Sequence, residues 1–269
     1  MSQDVSTTQR RFGGLDRLYG PQSATYFAGK HVMVAGIGGV GSWCVEALAR
    51  TGIGQLTLID LDHIAESNIN RQLPALSSTL GKAKSLAMGE RIVDINPACQ
   101  VDIIDDFIGP DNAVECLQRQ PDVLIDCTDQ VAAKMAMVIE AKRMGIPIIV
   151  CGAAGGKTDA LAMRSGDLSQ TTHDALLARL RNQLRRQHAY PKPKAGVKKA
   201  RVPKMGVKCL WVEQEALLPT QWQQQPEEQA LQGLSCAGYG SAVTVTAPMG
   251  FAAAQLAITL LLAQNKAKP

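Results

Sequence analysis

Short apolar runs alternate with stretches of helical spacing over the first 156 residues of the chain. HVMVAG (31–36) has the length and composition of a buried strand, and residues 40–51 carry apolar positions at helical spacing before the glycines of TGIG close the helix. QLTLIDLD (55–62) reads as a second strand ending in acids, and 81–97 as a helix stopped by Asn96-Pro97. A third strand (99–108), a short helix (111–120), a fourth strand (121–129), a helix (130–145) and a fifth strand (146–156) continue the pattern. Strands that alternate with helices form parallel crossovers, which leave both faces of the sheet covered. The expected class is therefore α/β, a Rossmann-like, doubly wound and mostly parallel sheet with helices on both faces.

Beyond Gly156 the rhythm changes. THDALLARLRNQLRRQHAY (172–190) reads as a basic helix, and PKPKAGVKKARVPKMGVK (191–208) as a mobile segment rich in Pro, Gly and Lys. CLWVEQEAL (209–217) is read as a strand, the Gln-rich stretch 219–232 as a surface loop, GSAVTVTAPMG (240–250) as a strand and FAAAQLAITLLLAQ (251–264) as a closing apolar helix. No charge occurs between Glu228 and Lys266, but Pro248, Gly250 and Gln255 interrupt the region. The apolar helix of about 14–16 residues falls short of the roughly 20 that a bilayer requires, so a buried core helix is expected rather than a stable membrane span.

Bulk composition adds little. The net charge of +4 implies no particular partner, and seven cysteines of irregular spacing, with no CxxC pair, suit reduced thiols in a cytoplasm better than a disulfide framework. The first residues, MSQDVSTTQRR, have no apolar signal region.

Chemistry concentrates around GIGGVG (36–41), which lies between a strand and a helix. Glycines there let the backbone approach phosphates, and the following helix directs its free N–H groups at the anion. Gly36, Gly38, Gly39 and Gly41 are thus candidate phosphate-loop residues, and Asp60, at the end of the next strand, is placed to accept ribose hydroxyls. A redox dinucleotide and ATP both satisfy this much. The segment after Asp60 separates them, because it supplies Asp62, Asn68, Asn70, Arg71 and Gln72, followed by Lys84 at the start of a helix. Two cations beside a phosphate chain serve a reaction that expels pyrophosphate, and hydride transfer has no use for them. Asp129, in DCTDQ just past a strand end, is positioned to hold Mg²⁺. Arg71, Lys84 and Asp129 are the candidate catalytic groups. An NAD(P) oxidoreductase and a catalytically dead interaction module are the readings that this set disfavours.

These residues resemble the E1-like adenylating enzymes, which include ubiquitin-activating domains and the bacterial activators of sulfur-carrier proteins. The matching motifs are GIGGVGS (36–42), DLD (60–62), SNINRQ (67–72), the lysine of GKAK (Lys84) and DCTD (126–129). The resemblance implies ATP at the carboxyl ends of the strands, Mg²⁺ on Asp129, a homodimer, and attack of a substrate carboxylate on the α-phosphate. Within that superfamily RRFGGLDRLYG (10–20), GVGSWCVEALARTGIGQLTLID (39–60) and CAGYGSAVTVTAPMGF (236–251) are most similar to the tRNA threonylcarbamoyladenosine dehydratase group. That likeness implies ATP-dependent cyclisation of the modified adenosine at position 37 of tRNA. An adenylating activator of a ubiquitin-like sulfur carrier is the alternative, with a sulfur-transfer protein system as its partner. The implied organisation is a single adenylation domain over 1–269, with an ATP-binding core at 30–156 and the basic segment, C-terminal strands and helix at 157–269.

The chain also departs from the family pattern. Cys209 and Cys236 stand without the paired motifs of a structural zinc site, so none is expected. Gln130 stands where relatives often carry Asn. The arginine that reaches a partner's site in relatives aligns near Gly14, leaving Arg11 and Arg17 as alternatives. Cys209 and Cys127 read as core thiols, and His173 and His188 as surface residues.

Between Asp174 and Glu213 the chain has no acid. Arg185, Arg186, Lys192, Lys194, Lys198, Lys199, Arg201 and Lys204 are candidate contacts to a nucleic acid, which supplies the anion that such a charge density lacks. Tyr190 and Trp211 flank the stretch and are candidates for stacking on bases, with burial the other option for Trp211.

Overall fold

The computed structural model describes residues 9–193, 202–218 and 239–266. Its elements run α1 (Gly14–Tyr19), α2 (Ser23–Ala28), β1 (His31–Ala35), α3 (Gly41–Arg50), β2 (Gln55–Ile59), α4 (Lys84–Ile95), β3 (Gln100–Ile104) and α5 (Ala113–Leu117). They continue with β4 (Val123–Asp126), α6 (Val131–Met144), β5 (Ile148–Cys151), β6 (Met163–Asp167), α7 (Ala175–Gln187), β7 (Lys208–Val212) and α8 (Val243–Lys266). The seven strands form one sheet in the order β3-β2-β1-β4-β5-β7-β6. All neighbours are parallel except β6, which pairs antiparallel with β7 at the edge.

The alternation of strand and helix accounts for the parallel pairing. The chain winds outward from β1 to β3, returns to the other side of β1 at β4 and winds outward again through β5, and the right-handed rule for such crossovers puts the helices of the two halves on opposite faces. All five residues of β1 are buried, as expected of the central strand of a doubly covered sheet. Its register places Val34 beside Leu58 on β2 and Ile125 on β4. The winding direction reverses between β1 and β4, and a crevice opens at the carboxyl ends of strands at such a switch point.

Beyond Gly156 the largest departure from the sequence reading is a change of element type. Residues 240–250 are expected as a strand because VTVT alternates and is β-branched, yet Val243–Lys266 is one continuous helix that contains Pro248. Tertiary packing overrides the local preference. Val245, Met249, Ala253, Ala257 and Leu261 recur every four residues and are buried to 0 % exposure, forming a stripe against α3 and the sheet. The helix is therefore longer than the 14–16 residues expected. Val243–Asn265 has the length and mean hydropathy (1.7) of a membrane span, but 56 % of its apolar window is buried inside the fold.

The basic stretch is also more structured than expected where it is described. Asp174 caps α7 by accepting from the Leu177 amide at 2.9 Å, and Leu177, Leu180 and Leu184 pack inward. Asp167 accepts from the Met205 and Gly206 amides and anchors the return of the chain into β7. The strand expected at 209–217 is observed as Lys208–Val212. The edge strand β6, with its exposed and Gly-containing MRSGD, carries no strand periodicity and was not anticipated.

Candidate active site

The loops after five parallel strands converge at the switch point and enclose a cavity of roughly 320 Å³. The glycine loop after β1 forms its floor. Gly36 continues the sheet through its amide to the Ile59 carbonyl, at a φ of 84° that side chains rarely adopt. Gly38 and Gly39 line the cavity, whereas Gly41 does not. A Cβ on Gly41 would lie 1.8 Å from the Gly36 oxygen, so glycine here permits α3 to start in close contact with the loop that leaves β1.

Asp60 follows β2 and is buried at 7 % exposure. One carboxylate oxygen accepts from the Ile37 amide at 2.6 Å and the other from the Asp62 amide at 2.8 Å. The same group that faces the cavity therefore also shapes the glycine loop. Burial pushes its pKa up, partly opposed by the charge of Lys84.

The turn-rich segment 60–84 places the remaining polar groups. Residues 62–64 pair with 82–84, the Ile64 amide reaching the Lys82 carbonyl and the Lys84 amide the Asp62 carbonyl. This pairing brings Lys84 Nζ to 2.7 Å from Asp62 Oδ2. Lys84 is thus a buried, carboxylate-held cation on the cavity wall. Asn68 accepts from the Ala65 amide and is buried in the wall. Arg71 Nη1 donates to the Ser67 carbonyl at 2.6 Å and to Asn70 Oδ1 at 3.0 Å. Its own carbonyl accepts from Trp43 Nε1 and Thr246 Oγ1, tying the segment to α3 and α8. Gln72 lines the cavity with its side-chain oxygen buried and without a partner among the described residues, an acceptor that a donor on a bound ligand would satisfy. Asn70 is the exception. It donates to the Ser241 carbonyl at 2.7 Å and faces an adjoining cavity, away from the main one.

Opposite this wall, β4 ends in Asp126 and leads to Cys127, Thr128, Asp129 and Gln130, the last four all on the cavity. Asp129 is exposed within it, just before the N-terminus of α6. Beneath it the fully buried Asp126 accepts through Oδ1 from Thr128 Oγ1 at 2.8 Å and from the equally buried Lys134 Nζ at 3.1 Å. Lys134 Nζ also donates to the Cys151 carbonyl at 2.7 Å. The network therefore holds the ends of β4 and β5 and the start of α6 in one arrangement.

The sequence reading missed Asp106, Phe107 and Ile108 after β3, Gly152 to Gly155 after β5, and Ser241 and Thr246, all of which line the cavity. A signal existed for the first two groups, since each directly follows a strand of the parallel set, where ligands bind in open sheets. Nothing local marks the contribution from residues 241 and 246.

Other candidates separate clearly. Tyr190 and Trp211 are buried at 6 % and 4 % exposure, so neither stacks on a base. Tyr190 instead carries Lys142 Nζ over its ring. Arg185 spends its Nε on the Pro191 carbonyl, while Arg186, Lys192 and Lys204 are exposed. Lys194, Lys198, Lys199 and Arg201 lie outside the described residues, as does Cys236. Cys209 is buried in β7, where burial pushes its thiol well above the ordinary range and leaves it unsuited to nucleophilic work. Cys127 donates to Cys151 Sγ at 3.8 Å, and that hydrogen bond, together with burial, pushes its thiol well above the ordinary range. His173 and His188 are exposed. Arg11 donates to the Asp94 and Ile95 carbonyls at the end of α4.

Comparison with known proteins places this geometry. Residues 17–269 match the ThiF family. The chain is 43 % identical over 261 residues to the tRNA threonylcarbamoyladenosine dehydratase of Haemophilus influenzae, covering 96 % of this chain and 95 % of that one. The fold superposes on the crystal structure of the Escherichia coli tRNA N6-threonylcarbamoyladenosine dehydratase in complex with ATP with a TM-score of 0.84, at 38 % identity and 97 % coverage of both chains. Similarity to the adenylyltransferase and sulfurtransferase MOCS3 of Drosophila willistoni, at 32 % identity, spans only 43 % of this chain. The chain belongs to the ThiF family, and within it to the group of the tRNA threonylcarbamoyladenosine dehydratases.

Proposed function

We propose that this chain is an ATP-dependent dehydratase that cyclises N6-threonylcarbamoyladenosine at position 37 of tRNA. The observation that carries the reading is the meeting of Arg71, Lys84 and Asp129 on one cavity above the glycine loop, in a chain related end to end to such enzymes. The substrate carboxylate attacks the α-phosphate of ATP, and pyrophosphate leaves. A nucleophilic atom of the carbamoyl group then attacks the activated carbonyl, AMP departs with the carboxylate oxygen, and the ring closes. Intramolecular attack needs positioning more than acid–base help, because proximity alone supplies a large effective concentration. No thiol is required, which agrees with the burial of Cys209.

In this reading Gly36, Gly38 and Gly39 bear the phosphates, with Gly41 acting one step behind by packing. Asp60 holds the ribose, and Asn68, Gln72, Arg71 and Lys84 face the phosphate chain. The fixed cations act where negative charge grows on the leaving group. Among the described residues no cluster of three His, Cys, Asp or Glu side chains could hold a metal by itself. The donor set fits Mg²⁺ nonetheless, since that ion is commonly held by one or two carboxylates together with substrate phosphates, and Asp129 is such a carboxylate on the cavity wall. When bound, Mg²⁺ would neutralise phosphate charge.

The same reading extends to organisation. β7 joins the sheet beside β5 and α8 completes the core, which supports one adenylation unit over the whole chain. In a homodimer, exposed Arg17 is better placed than Arg11 to reach a partner, because Arg11 is engaged at the end of α4. A cytoplasmic location follows from where tRNA and ATP are found together.

Incubating the purified chain with ATP and tRNA bearing the open modification, followed by mass spectrometry of the nucleosides, is expected to show loss of one water from the modified adenosine and one AMP per event. An unchanged nucleoside mass would reject the reading. Replacing Lys198, Lys199 and Arg201 together by serine is expected to weaken tRNA binding and to reduce the slope of log affinity against log salt by about 2–3, as expected for three lost phosphate contacts. An unaltered slope would remove those residues from the interface.

A further inference from the structure

The first turn of α7 belongs to the main cavity, because Leu176 lines it together with Gly152 to Gly155 of the loop after β5. Asp174 fixes that junction. One of its carboxylate oxygens caps α7 through the Leu177 amide and the other accepts from the Ala153 amide at 2.9 Å, so helix and loop are held as one piece. From Leu176 the positions Arg179, Gln183 and Arg186 follow at steps of three, four and three, which keeps them on one stripe of the helix. Arg179 and Arg186 are both exposed, and the helical rise sets them roughly 10 Å apart along the axis. Burial pushes the Tyr239 phenol up, and the charge of Arg179 opposes this. The Gly156 amide donates to the Gly240 carbonyl at 2.9 Å, which seats Tyr239 beside the β5 loop and so places Arg179 near that end of the cavity. The other arginines of α7 lie on its opposite flank and serve the fold, Arg181 donating to the Leu168 and Thr171 carbonyls and Arg185 to the Pro191 carbonyl. No acid occurs from Ala175 to Val212.

A run of exposed cations without acids is matched by a polyanion. The cavity itself is unequal at its two sides. In the proposed function Asp60 and the glycine loop take ribose and phosphates, and Arg71 and Lys84 take the departing pyrophosphate, all from segments that follow β1 and β2. A carboxylate that displaces pyrophosphate from the α-phosphate approaches in line with it, from the other side. That side is built by the loops after β4 and β5, which lie beyond β1 in the sheet. The small side chains of Ala133, Ala153 and Ala154 leave room there for an acyl group next to Leu176. Building on the proposed function, we infer that the stripe of Arg179, Gln183 and Arg186 carries the phosphate backbone of the tRNA, and that the threonylcarbamoyl-bearing nucleoside enters the cavity at its β5 end, past Leu176.

Filter binding of tRNA to the full chain, ATP affinity by equilibrium dialysis and site-specific crosslinking test this path. Arg179→Gln combined with Arg186→Gln is expected to weaken tRNA binding at least tenfold and to reduce the slope of log affinity against log salt by about 1.5, the share of two phosphate contacts. The Kd for ATP should stay within twofold and the thermal midpoint should not move. Arg119→Gln removes an exposed charge just ahead of β4, at the amino ends of the strands, and is expected to change tRNA affinity less than twofold. Replacing Gln183 by photoreactive benzoylphenylalanine is expected to give crosslinks to nucleotides adjoining position 37. Unchanged tRNA affinity in the double variant, a loss no greater than that of Arg119→Gln, or crosslinks confined to another arm of the tRNA overturns the assignment. So does a double variant that keeps its tRNA affinity but loses ATP–pyrophosphate exchange driven by a small protein ending in Gly-Gly, because the stripe then meets a protein. A wild-type chain that binds ATP yet leaves the tRNA unmodified removes the proposed function itself, whereas equal dehydration by wild type and double variant at limiting tRNA removes only the stripe.

Discussion

Asp129→Ala is expected to reduce adenylation by more than about a thousandfold while leaving tRNA affinity within twofold. The side chain lies on the cavity and holds no element of the fold together, so its removal should cost little stability. Its proposed work is electrostatic. Neutralising the phosphate chain through a carboxylate-held cation typically contributes several kcal/mol to the transition state, and about 1.4 kcal/mol corresponds to each factor of ten. ATP–pyrophosphate exchange and AMP release measure the effect directly, and a filter-binding titration of tRNA provides the control. Near-normal turnover in Asp129→Ala would transfer the role to another residue.

Lys134→Ala is expected to be the most destabilising of the substitutions considered, by about 3–5 kcal/mol near neutral pH, because it leaves a carboxylate buried without its counter-charge. Both side chains of the Lys134–Asp126 pair have 0 % exposure. Asp126 Oδ2 has no hydrogen-bond partner among the described residues, so its charge relies on what reaches Oδ1. Burial already pushes the Asp126 carboxyl above its ordinary range, with the charge of Lys134 opposing it. Removing Lys134 drives the carboxyl further up. A group whose pKa is higher folded than unfolded stabilises the fold most below its unfolded value and loses that contribution as pH rises through the folded one. The deficit of Lys134→Ala should therefore be largest at neutral pH and shrink toward pH 4, where Asp126 takes up a proton in the folded state. Urea unfolding of both proteins between pH 4 and 8 tests this. A deficit independent of pH would mean that lost packing, and not the stranded charge, accounts for it.

The pair also bears on activity. Asp126 receives Thr128 from one side and Lys134 from another, and these contacts fix the turn that carries Asp129. The metal-binding residue proposed at the surface of the cavity is thus placed by a charge pair in the core. Mutations at the two sites should differ in character, with Asp129→Ala inactive but stable and Lys134→Ala destabilised first and impaired in consequence.

Much of the parallel core was legible in the sequence because its cause is local. Buried parallel strands read as unbroken apolar runs such as HVMVA, helices announce themselves by spacing, and the glycine loop with Asp60 and Arg71 occupies one continuous segment. Three other features were decided only by tertiary structure. VTVTAP became helix because Val245, Met249, Ala253, Ala257 and Leu261 find an apolar surface on α3 and the sheet, a partner that no window of sequence contains. Lys84 became a cavity-wall residue held by Asp62 because pairing of 62–64 with 82–84 fixes where its amine can reach. Asn70 turned from the main cavity toward Ser241, on a segment that is 171 residues distant in the chain. Periodicity and glycine placement describe what each stretch prefers on its own. Which preferences survive, and which polar groups face one another, depends on burial against distant segments, and that is a property of the assembled fold.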